Sequence, residues 1–326
     1  MRTLFGAAVM CVLLNSCYTL PKYLQTDAKS INSGPGPEDM VIDSMNDRIL
    51  VSCSARRKSE QDYGEIEALY PLAQYTTPLV RVNEPIDLSF NPHGIDLVKV
   101  NEKWFLLVVN HEHKTNINSV LKYEVYADTL RFISKTVHPL IVSPNAVCGL
   151  SNGDFIVSND ARKKGNAWEI LFKLKHGQII YCHDTVCTVA TEGYCYANGI
   201  EYENGKVFLA STMQNKVWQF DIENKKLINR VEIGRVKGAD NIRLYGQELI
   251  VPGHLRFVAF LKHYKNAEKL SPSTVFRINP TTKTTVPIFY DNGKKISAAS
   301  TALIWKGKLY VSGVFNPQIA VVPLGK

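Results

Sequence analysis

Beyond residue 20 the sequence has no run of 18 or more apolar residues, which argues against a bundle of transmembrane helices. It also has no long basic tract, although Lys and Arg outnumber Asp and Glu by 38 to 30. The basic residues are instead scattered in short groups such as Arg56-Arg57-Lys58. Since nucleic-acid binding requires basic residues gathered on one face, we expect no nucleic-acid partner and interpret the surplus as surface charge. The Gly-x-Ser-x-Gly elbow, the P-loop and the dinucleotide fingerprint are also missing, so serine-hydrolase and nucleotide chemistry have no support.

The sequence also lacks the even number of cysteines that a fully paired disulfide framework requires. Of the seven, Cys11 and Cys17 lie near the N-terminus, which leaves five that cannot all pair internally. Cys182 and Cys187 flank a predicted turn and could form a disulfide. A zinc knuckle at this hairpin lacks a second matching pair, and we interpret the other thiols as buried. These three are Cys53, Cys148 and Cys195.

The N-terminus reads as a targeting signal. Arg2 precedes an apolar segment, Leu4–Leu14, which is too short to span a membrane. Leu14-Asn15-Ser16-Cys17 is similar to a bacterial lipobox, in which the cysteine is lipidated. We therefore predict a lipoprotein-type signal peptide over residues 1–16 and a tether over 17–35. The location implied is a bacterial cell envelope, with the protein lipid-anchored through Cys17 or, alternatively, secreted.

Helical periodicity is weak, with one short helix predicted at Leu261–Leu270, and a β-hairpin pattern recurs instead. Six short apolar runs each follow a turn rich in Asn, Gly, Asp or Lys. From residue 49 to residue 309 the mean spacing is about 52 residues, close to the ~50 of kelch-type blades. We predict an all-β fold, a six-bladed β-propeller with a central calcium site, over residues 36–326. The runs are Ile49–Ser52, Trp104–Val109, Phe155–Ser158, Val207–Ser211, Leu249–Pro252 and Leu309–Ser312.

A polar residue precedes each run in nearly the same register. Equivalent positions on successive blades surround the central channel of a propeller, so these side chains should converge at one mouth. A single one would be explained as a turn cap, but most of the blades supply one. The residues are Glu38, His93, Asn145, Asn198, Asp240 and Asn241.

Without His93, this set offers only carboxylate and amide oxygens, which suit calcium better than zinc. Such an ion can polarise a carbonyl oxygen, and a neutral histidine can take a proton from water. His93 lies in register with the predicted ligands, and His111 begins the loop after the next strand. His111-Glu112-His113 could also be read as a metal pair, but no further carboxylate pattern supports a binuclear site.

These residues resemble the paraoxonase and arylesterase family from about Gly36 to Leu324. Family members are six-bladed propellers with two calcium ions that hydrolyse lactones, aryl esters and some phosphotriesters. The resemblance therefore implies a calcium-dependent hydrolase acting on small ester or lactone substrates. The motifs that carry it are Pro37-Glu38-Asp39, Ser89–Ile95, Leu106–His111, Ala197–Ile200, Asp240–Ile242, Lys306–Leu309 and Gly313–Phe315.

The resemblance also assigns roles to individual residues. It implies a catalytic calcium held by Glu38, Asn145, Asn198, Asp240 and Asn241. It implies that His93 acts as the general base or assists it, with His111 as its partner. Asp240 is the alternative residue that would share the general-base role. Tyr196, His254 and Val314 fall where the family lines its substrate pocket, although core packing or a surface loop would also explain them.

Three departures from the family pattern stand out. The deeper calcium would be held by Asp39 and the carbonyl near Ile95, but the family's further Asp is replaced by Ala146. This loss should weaken a second calcium site, for which Asp160 is a possible substitute. The disulfide that joins the family's termini is also missing, because its C-terminal position reads Val322-Pro323, so closure must rest on strand pairing. Third, the segment 55–73 differs from the family's active-site loop, so substrate preference does not carry over.

Two other functions remain open. A gluconolactonase-like sugar-lactone hydrolase would share the calcium and the propeller, but it lacks the Ser89–Ile95 motif. A non-catalytic binding propeller would use calcium only to tie its blades together. Retention of both His93 and His111 favours the enzyme, since a structural ion needs neither.

Overall fold

A computed structural model describes residues 28–163, 169 and 172–324. Within these residues, 25 strands form six separate sheets. The predicted signal peptide and Cys17 lie outside the described residues. In chain order the strands are β1 (Lys29–Asn32), β2 (Pro37–Asp43), β3 (Arg48–Ser54), β4 (Gly64–Tyr70), β5 (Tyr75–Pro78), β6 (Val80–Val82), β7 (Pro92–Val100), β8 (Lys103–His111), β9 (Asn118–Val125), β10 (Thr129–Thr136), β11 (Pro144–Gly149), β12 (Phe155–Asn159), β13 (Gly177–His183), β14 (Val186–Tyr194), β15 (Ala197–Glu203), β16 (Lys206–Ser211), β17 (Lys216–Glu223), β18 (Lys226–Gly234), β19 (Arg243–Tyr245), β20 (Glu248–Gly253), β21 (Ser273–Asn279), β22 (Thr284–Asp291), β23 (Ala299–Trp305), β24 (Lys308–Gly313) and β25 (Gln318–Pro323).

The six sheets are the blades of a propeller, as predicted. Five blades run antiparallel from an inner to an outer strand in chain order, beginning with β2, β7, β11, β15 and β19. In the second blade the short strand β6 adds in parallel to the outer edge of β10. Each predicted apolar run lies in the second strand of its blade, where it is covered on both faces. The sixth blade contains β23, β24, β25 and β1.

Chain closure occurs in this sixth blade. β1 pairs antiparallel with β25, with Ile31 opposite Ile319. The N-terminal segment thus supplies the outer strand of the C-terminal blade, and strand pairing holds the ring closed. The propeller therefore begins upstream of residue 36, because Lys29–Asn32 belong to the sheet rather than to a tether.

The hydrophobic core is divided among the blade interfaces. Six buried clusters each lie between two consecutive blades, including one between the sixth blade and the first. A twisted sheet must cover both faces, and its two neighbours do so in a closed ring. The central channel is consequently lined by the edge strands, where polar residues are free of core packing.

Turn chemistry at the hairpins follows the sequence signals. Asn101 and Glu102, Asn204 and Gly205, and Lys306 and Gly307 all have positive φ, as two-residue turns between twisted strands require. Cys182 and Cys187 form a disulfide across the third-blade hairpin, and the other three described cysteines are free and buried.

One α-helix, α1 (Phe257–Lys265), and a 3₁₀ turn at Thr212–Gln214 are assigned in the described part of the chain. The helix begins four residues before the predicted segment and ends five residues earlier than predicted. No helix among the described residues has both the length and the apolar content needed to cross a membrane.

Candidate functional site

The polar residues predicted at the channel mouth lie at β-bulges. In five inner strands the pairing register shifts at the polar residue near the start of the strand. A bulge re-aims a side chain that would otherwise alternate with its neighbours. The local sequence is repetitive, with Pro or Ala before the polar residue and an aliphatic residue soon after it. The five positions are Glu38, His93, Asn145, Asn198 and Ser300.

In the fifth blade, Asp240 and Asn241 directly precede β19. The Asp240 amide donates to the Pro252 carbonyl at 3.1 Å, and the Asn241 amide donates to the Ser300 carbonyl of the next blade at 3.2 Å. Asn198 Nδ2 donates to Asp240 Oδ1 at 2.6 Å, and Asn241 Nδ2 donates to Glu38 Oε1 at 3.0 Å. Four of the five predicted ligands are therefore linked pairwise by hydrogen bonds.

This ring of side chains is buried and carries two carboxylates. Burial raises the pKa of Glu38 to about 8, Arg56 opposes that rise, and the carboxylates of Asp39 and Asp240 add to it. Two carboxylates this close together favour a cation at the same site.

Three oxygens of the predicted ligands are buried without a hydrogen-bond donor: Glu38 Oε2, Asn145 Oδ1 and Asn198 Oδ1. Buried acceptors are normally satisfied, so this cluster of oxygens is suited to a bound cation or to a hydrogen-bond donor. The described residues contain no group of three or more His, Cys, Asp or Glu side chains that could hold a metal ion. The donors here are instead two carboxylates and three amides, which is the oxygen chemistry of calcium. The residues present therefore fit a calcium ion.

His93 is held by Arg56. Nη1 of Arg56 lies 2.6 Å from Nδ1 of His93, and a guanidinium can only donate. Nδ1 therefore accepts, and the proton of the neutral ring lies on Nε2, 3.8 Å from Glu38 Oε1. Burial, together with Arg56 and His111, lowers the pKa of His93 and keeps this ring neutral.

His111 packs edge-on against His93, with ring centroids 5.0 Å apart. Its Nδ1 lies 2.7 Å from Asn118 Oδ1, while Asn118 Nδ2 donates to the Val142 carbonyl at 2.6 Å. The amide oxygen thus faces the ring, so Nδ1 of His111 donates, and in the neutral form of this ring the lone pair lies on Nε2. The two rings consequently have opposite tautomers.

The profile of the arylesterase family matches residues 74–320. The chain belongs to the arylesterase family. Mouse serum paraoxonase/arylesterase 1 is 25% identical over 261 residues, covering 73% of this chain and 70% of that protein. Human serum paraoxonase/lactonase 3 is 23% identical over 248 residues, covering 71% and 68%.

Solved structures share the fold. A gluconolactonase from Xanthomonas campestris has a TM-score of 0.54 at 10% identity and covers 92% of this chain and 88% of its own. The calcium-binding protein regucalcin from Agrobacterium tumefaciens has a TM-score of 0.57 at 11% identity, with 90% and 89% covered. Both agree with the propeller of the arylesterase family.

Asn145, one of the predicted ligands in this arylesterase-family chain, is linked to another acidic side chain. Its side chain hydrogen-bonds Asp160, which also binds Tyr196 and accepts from Ser143 Oγ at 2.6 Å. Burial raises the pKa of Asp160 to about 6, and these hydrogen bonds oppose that rise. Tyr196 has a φ of 63°, a strained value that aims its half-buried ring at the mouth.

Of the two other predicted pocket residues, His254 contacts the site directly. Its Nε2 lies 2.8 Å from Asp240 Oδ2, and its buried Nδ1 has no hydrogen-bond partner. Val314 is half-buried, and its amide donates to the Ala298 carbonyl at 3.0 Å. Next to it, the buried ring of Phe315 packs against Phe260 and Tyr264 of α1. The pocket wall is therefore partly helical and aromatic.

Sequence reasoning missed two arginines, because it interpreted Arg56 and Arg57 as surface charge. Arg57 lies over the Phe315 ring at 4.7 Å and donates to Asn316 Oδ1 at 3.1 Å. Arg56 donates to the Pro92 carbonyl at 3.0 Å besides its contact with His93. Their position two and three residues after the buried strand β3, the second strand of the first blade, was the available signal.

The second predicted calcium site does not fit its residues. Asp39 and Ile95 do lie together, with Asp39 Oδ2 accepting from the Ile95 amide at 2.9 Å. However, the guanidinium of Arg243 bonds both Asp39 Oδ2 at 2.8 Å and the Ile95 carbonyl at 2.7 Å. A protein cation thus stands where the second ion was expected.

Proposed function

We propose that this protein is a calcium-dependent hydrolase of lactones and aryl esters. The observation that carries the proposal is the convergence of three unsatisfied oxygens, from Glu38, Asn145 and Asn198, at one mouth of the channel. Membership of the arylesterase family supports hydrolysis of a small ester or lactone.

Glu38, Asn145, Asn198, Asp240 and Asn241 would hold the ion. When bound, Ca²⁺ supplies positive charge that polarises the substrate carbonyl and stabilises the developing oxyanion. The residues beneath fix the ligand oxygens in place. Ser300 Oγ donates to Glu38 Oε1 at 2.9 Å, and Thr212 Oγ1 accepts from Asn198 Nδ2 at 3.0 Å.

We assign the proton-accepting role to His111 and a positioning role to His93. Because His111 Nδ1 donates to Asn118, its Nε2 has the lone pair that a general base needs. His93 has Nδ1 engaged by Arg56, so its Nε2–H is a donor toward the ligand carboxylate of Glu38. His254 of the same blade would hold the second ligand carboxylate, that of Asp240, through Nε2 at 2.8 Å.

The substrate would enter between Tyr196, Val314 and the aromatic wall of α1. This wall favours a flat or apolar substituent such as an aryl group or an alkyl chain. The propeller shared with a gluconolactonase makes sugar lactones the second substrate class to examine.

For the location of the protein, we propose a bacterial cell envelope, with lipidation at Cys17 or simple secretion.

The test is hydrolysis of phenyl acetate, γ- and δ-lactones and δ-gluconolactone by the full chain, with calcium and after chelation. We expect chelation and Asp240→Asn to abolish turnover. We expect His111→Gln to lower kcat by about 100-fold or more, as the loss of a general base does. Asp184→Asn and His183→Gln are matched controls, since both side chains are mostly exposed on the third-blade hairpin, and they should leave kcat unchanged.

Two results would contradict the proposal. If no substrate is turned over while calcium still raises Tm, the ion only ties the blades together and the protein is a binding propeller. Turnover that persists after complete chelation would remove calcium from the reaction.

A further inference from the structure

Arg243 lies in the channel below the candidate site and uses every donor of its guanidinium. The residue begins β19 and is buried. Its nitrogens make five hydrogen bonds, which equals the number of N–H groups available. Nε donates to Met40 O at 2.6 Å, Nη1 to Ile242 O at 3.2 Å and Glu201 Oε2 at 3.3 Å, and Nη2 to Asp39 Oδ2 at 2.8 Å and Ile95 O at 2.7 Å.

These acceptors come from four blades. Asp39 and Met40 belong to the first blade, Ile95 to the second, Glu201 to the fourth and Ile242 to the fifth. One planar cation therefore cross-links four of the six blades near the axis of the propeller. We call Arg243 and its acceptors Asp39, Met40, Ile95, Glu201 and Ile242 the hub.

The carboxylate of Asp39 is surrounded by hydrogen-bond donors on both oxygens. Oδ1 accepts from the Met40 amide at 2.8 Å and lies 2.8 Å from Thr301 Oγ1, whose single proton is shared between this oxygen and the Glu38 carbonyl at 2.9 Å. Oδ2 accepts from the Ile95 amide at 2.9 Å and from Arg243 at 2.8 Å. A carboxylate offers about four lone-pair positions, and here four donor groups, one of them shared with the Glu38 carbonyl, surround them. This contrasts with Glu38 next to it, whose Oε2 is buried without a donor.

We propose that Arg243 is a built-in replacement for a second, structural calcium ion, so that this protein binds at most one calcium per chain. The local charge agrees with this exchange. A divalent ion at this depth needs several carboxylates, but Ala146 supplies no side-chain oxygen where the resemblance expects an Asp. The guanidinium of Arg243 bonds the carboxylates of Asp39 and Glu201 directly, and the carboxylate of Asp96 lies close enough to stabilise its charge.

Asp160, the residue considered as a substitute ligand, belongs to another level of the channel. It bonds Ser143, Asn145 and Tyr196 at the upper mouth rather than Asp39 or Ile95. Asp160 therefore does not replace the missing Asp at Ala146, and Glu201, the other carboxylate that bonds Arg243, is already engaged by that guanidinium at 3.3 Å.

The first experiment counts bound calcium. The full chain is freed of metal by chelation, equilibrated with saturating calcium and measured by atomic emission per chain. We expect no more than one ion in the wild type. Two tightly bound ions per wild-type chain would overturn the proposal.

The second experiment rebuilds the ion site. Arg243→Ser combined with Ala146→Asp removes the guanidinium and restores the second carboxylate beside Asp39. We expect this double variant to bind one ion more than the wild type. Without calcium its Tm should fall by about 5–10 °C, because buried carboxylates lose their partner. Calcium should restore much of that loss.

Arg48→Ser is the matched control. Arg48 is also buried and pairs with a buried carboxylate, that of Asp43 at 2.8 Å, but it lies away from the channel. Its variant should lose stability without gaining a calcium ion. A double variant at Arg243 and Ala146 that folds but gains no ion would overturn the replacement. If that variant does not fold, the calcium count of the wild type still decides.

Discussion

Nη1 of Arg56 lies 2.6 Å from Nδ1 of His93, and Nη2 of the same guanidinium donates to the backbone carbonyl of Pro92 at 3.0 Å. One side chain thereby fixes both the ring and the start of its strand. We predict that Arg56→Met lowers kcat for ester hydrolysis by about 10- to 100-fold, the usual cost of removing a partner that orients a site residue. Arg56→Lys should recover part of this loss, since lysine can still donate to Nδ1.

The calcium dependence separates this role from damage to the ion site. Arg56 is a positive charge that acts on Glu38, a proposed ligand. Removing it should leave the half-saturating calcium concentration unchanged or lower it, while kcat falls. Lys58→Met, at an exposed position two residues on, is the control and should change neither value. A variant at Arg56 that keeps full kcat would show that His93 needs no such support.

Gly199 allows the fourth and fifth blades to approach each other at the candidate site. A Cβ at this position would lie 2.5 Å from the Asn241 Cα and 2.6 Å from the Asp240 carbonyl oxygen. Since both neighbours are backbone atoms, the fifth blade's ligand segment must shift. We predict that Gly199→Ala weakens calcium binding by about 10-fold or more, as misplaced ligands do, measured by titration of the metal-free chain.

Gly205→Ala is the matched control in the same blade. Gly205 occupies a hairpin turn with φ of 79°, and a Cβ there meets no atom within 4 Å. It should cost about 1 kcal/mol of stability through backbone strain and leave calcium affinity unchanged. Equal calcium affinity in both variants would mean that the close approach at Gly199 does not position the ligands.

The polar register could be predicted from the sequence because it repeats. Glu38, His93, Asn145 and Asn198 each follow Pro or Ala at the start of an inner strand, and the bulge at that point is a local backbone feature. A local backbone feature of this kind depends on a few neighbouring residues, so it can be recognised in a short stretch of sequence. The blade count followed for the same reason, since each hairpin carries its own turn residues.

The arginine contacts could not be predicted in this way. Arg243 meets Asp39 across 204 residues and Ile95 across 148, and nothing in the sequence near β19 distinguishes a buried arginine from an exposed one. Strand β1 was missed because four residues are too few to show alternation, and its partner β25 lies at the other end of the chain. These interactions depend on closure of the whole ring.

Closure through β1 has a measurable energetic effect. Ile31 is buried in the cluster between the sixth and first blades, where Ile319 and Val321 also lie. We predict that Ile31→Ala lowers the free energy of unfolding by about 2–4 kcal/mol, the usual cost of truncating a buried aliphatic side chain. Met45→Ala is the control, because Met45 is 52% exposed on a hairpin turn, and it should change stability little. Urea denaturation measures both, and equal midpoints would show that β1 contributes no closure energy.

Glu201 gives the hub a predictable pH dependence. Burial raises the pKa of Glu201 to about 8, Asp96 adds to the rise, and Arg243 opposes it. Because the folded-state pKa lies above the unfolded value, the folded chain binds the extra proton, and the resulting stability is lost as pH rises from about 4.5 through 8. Glu201→Gln keeps the size and shape of the side chain but removes the titrating group. The Tm of this variant minus that of the wild type should therefore increase between roughly pH 5 and pH 9, the span of that titration. Glu203→Gln, at an exposed position on the same strand, should show no such trend. A parallel fall of Tm in Glu201→Gln and the wild type would mean that another group causes the loss.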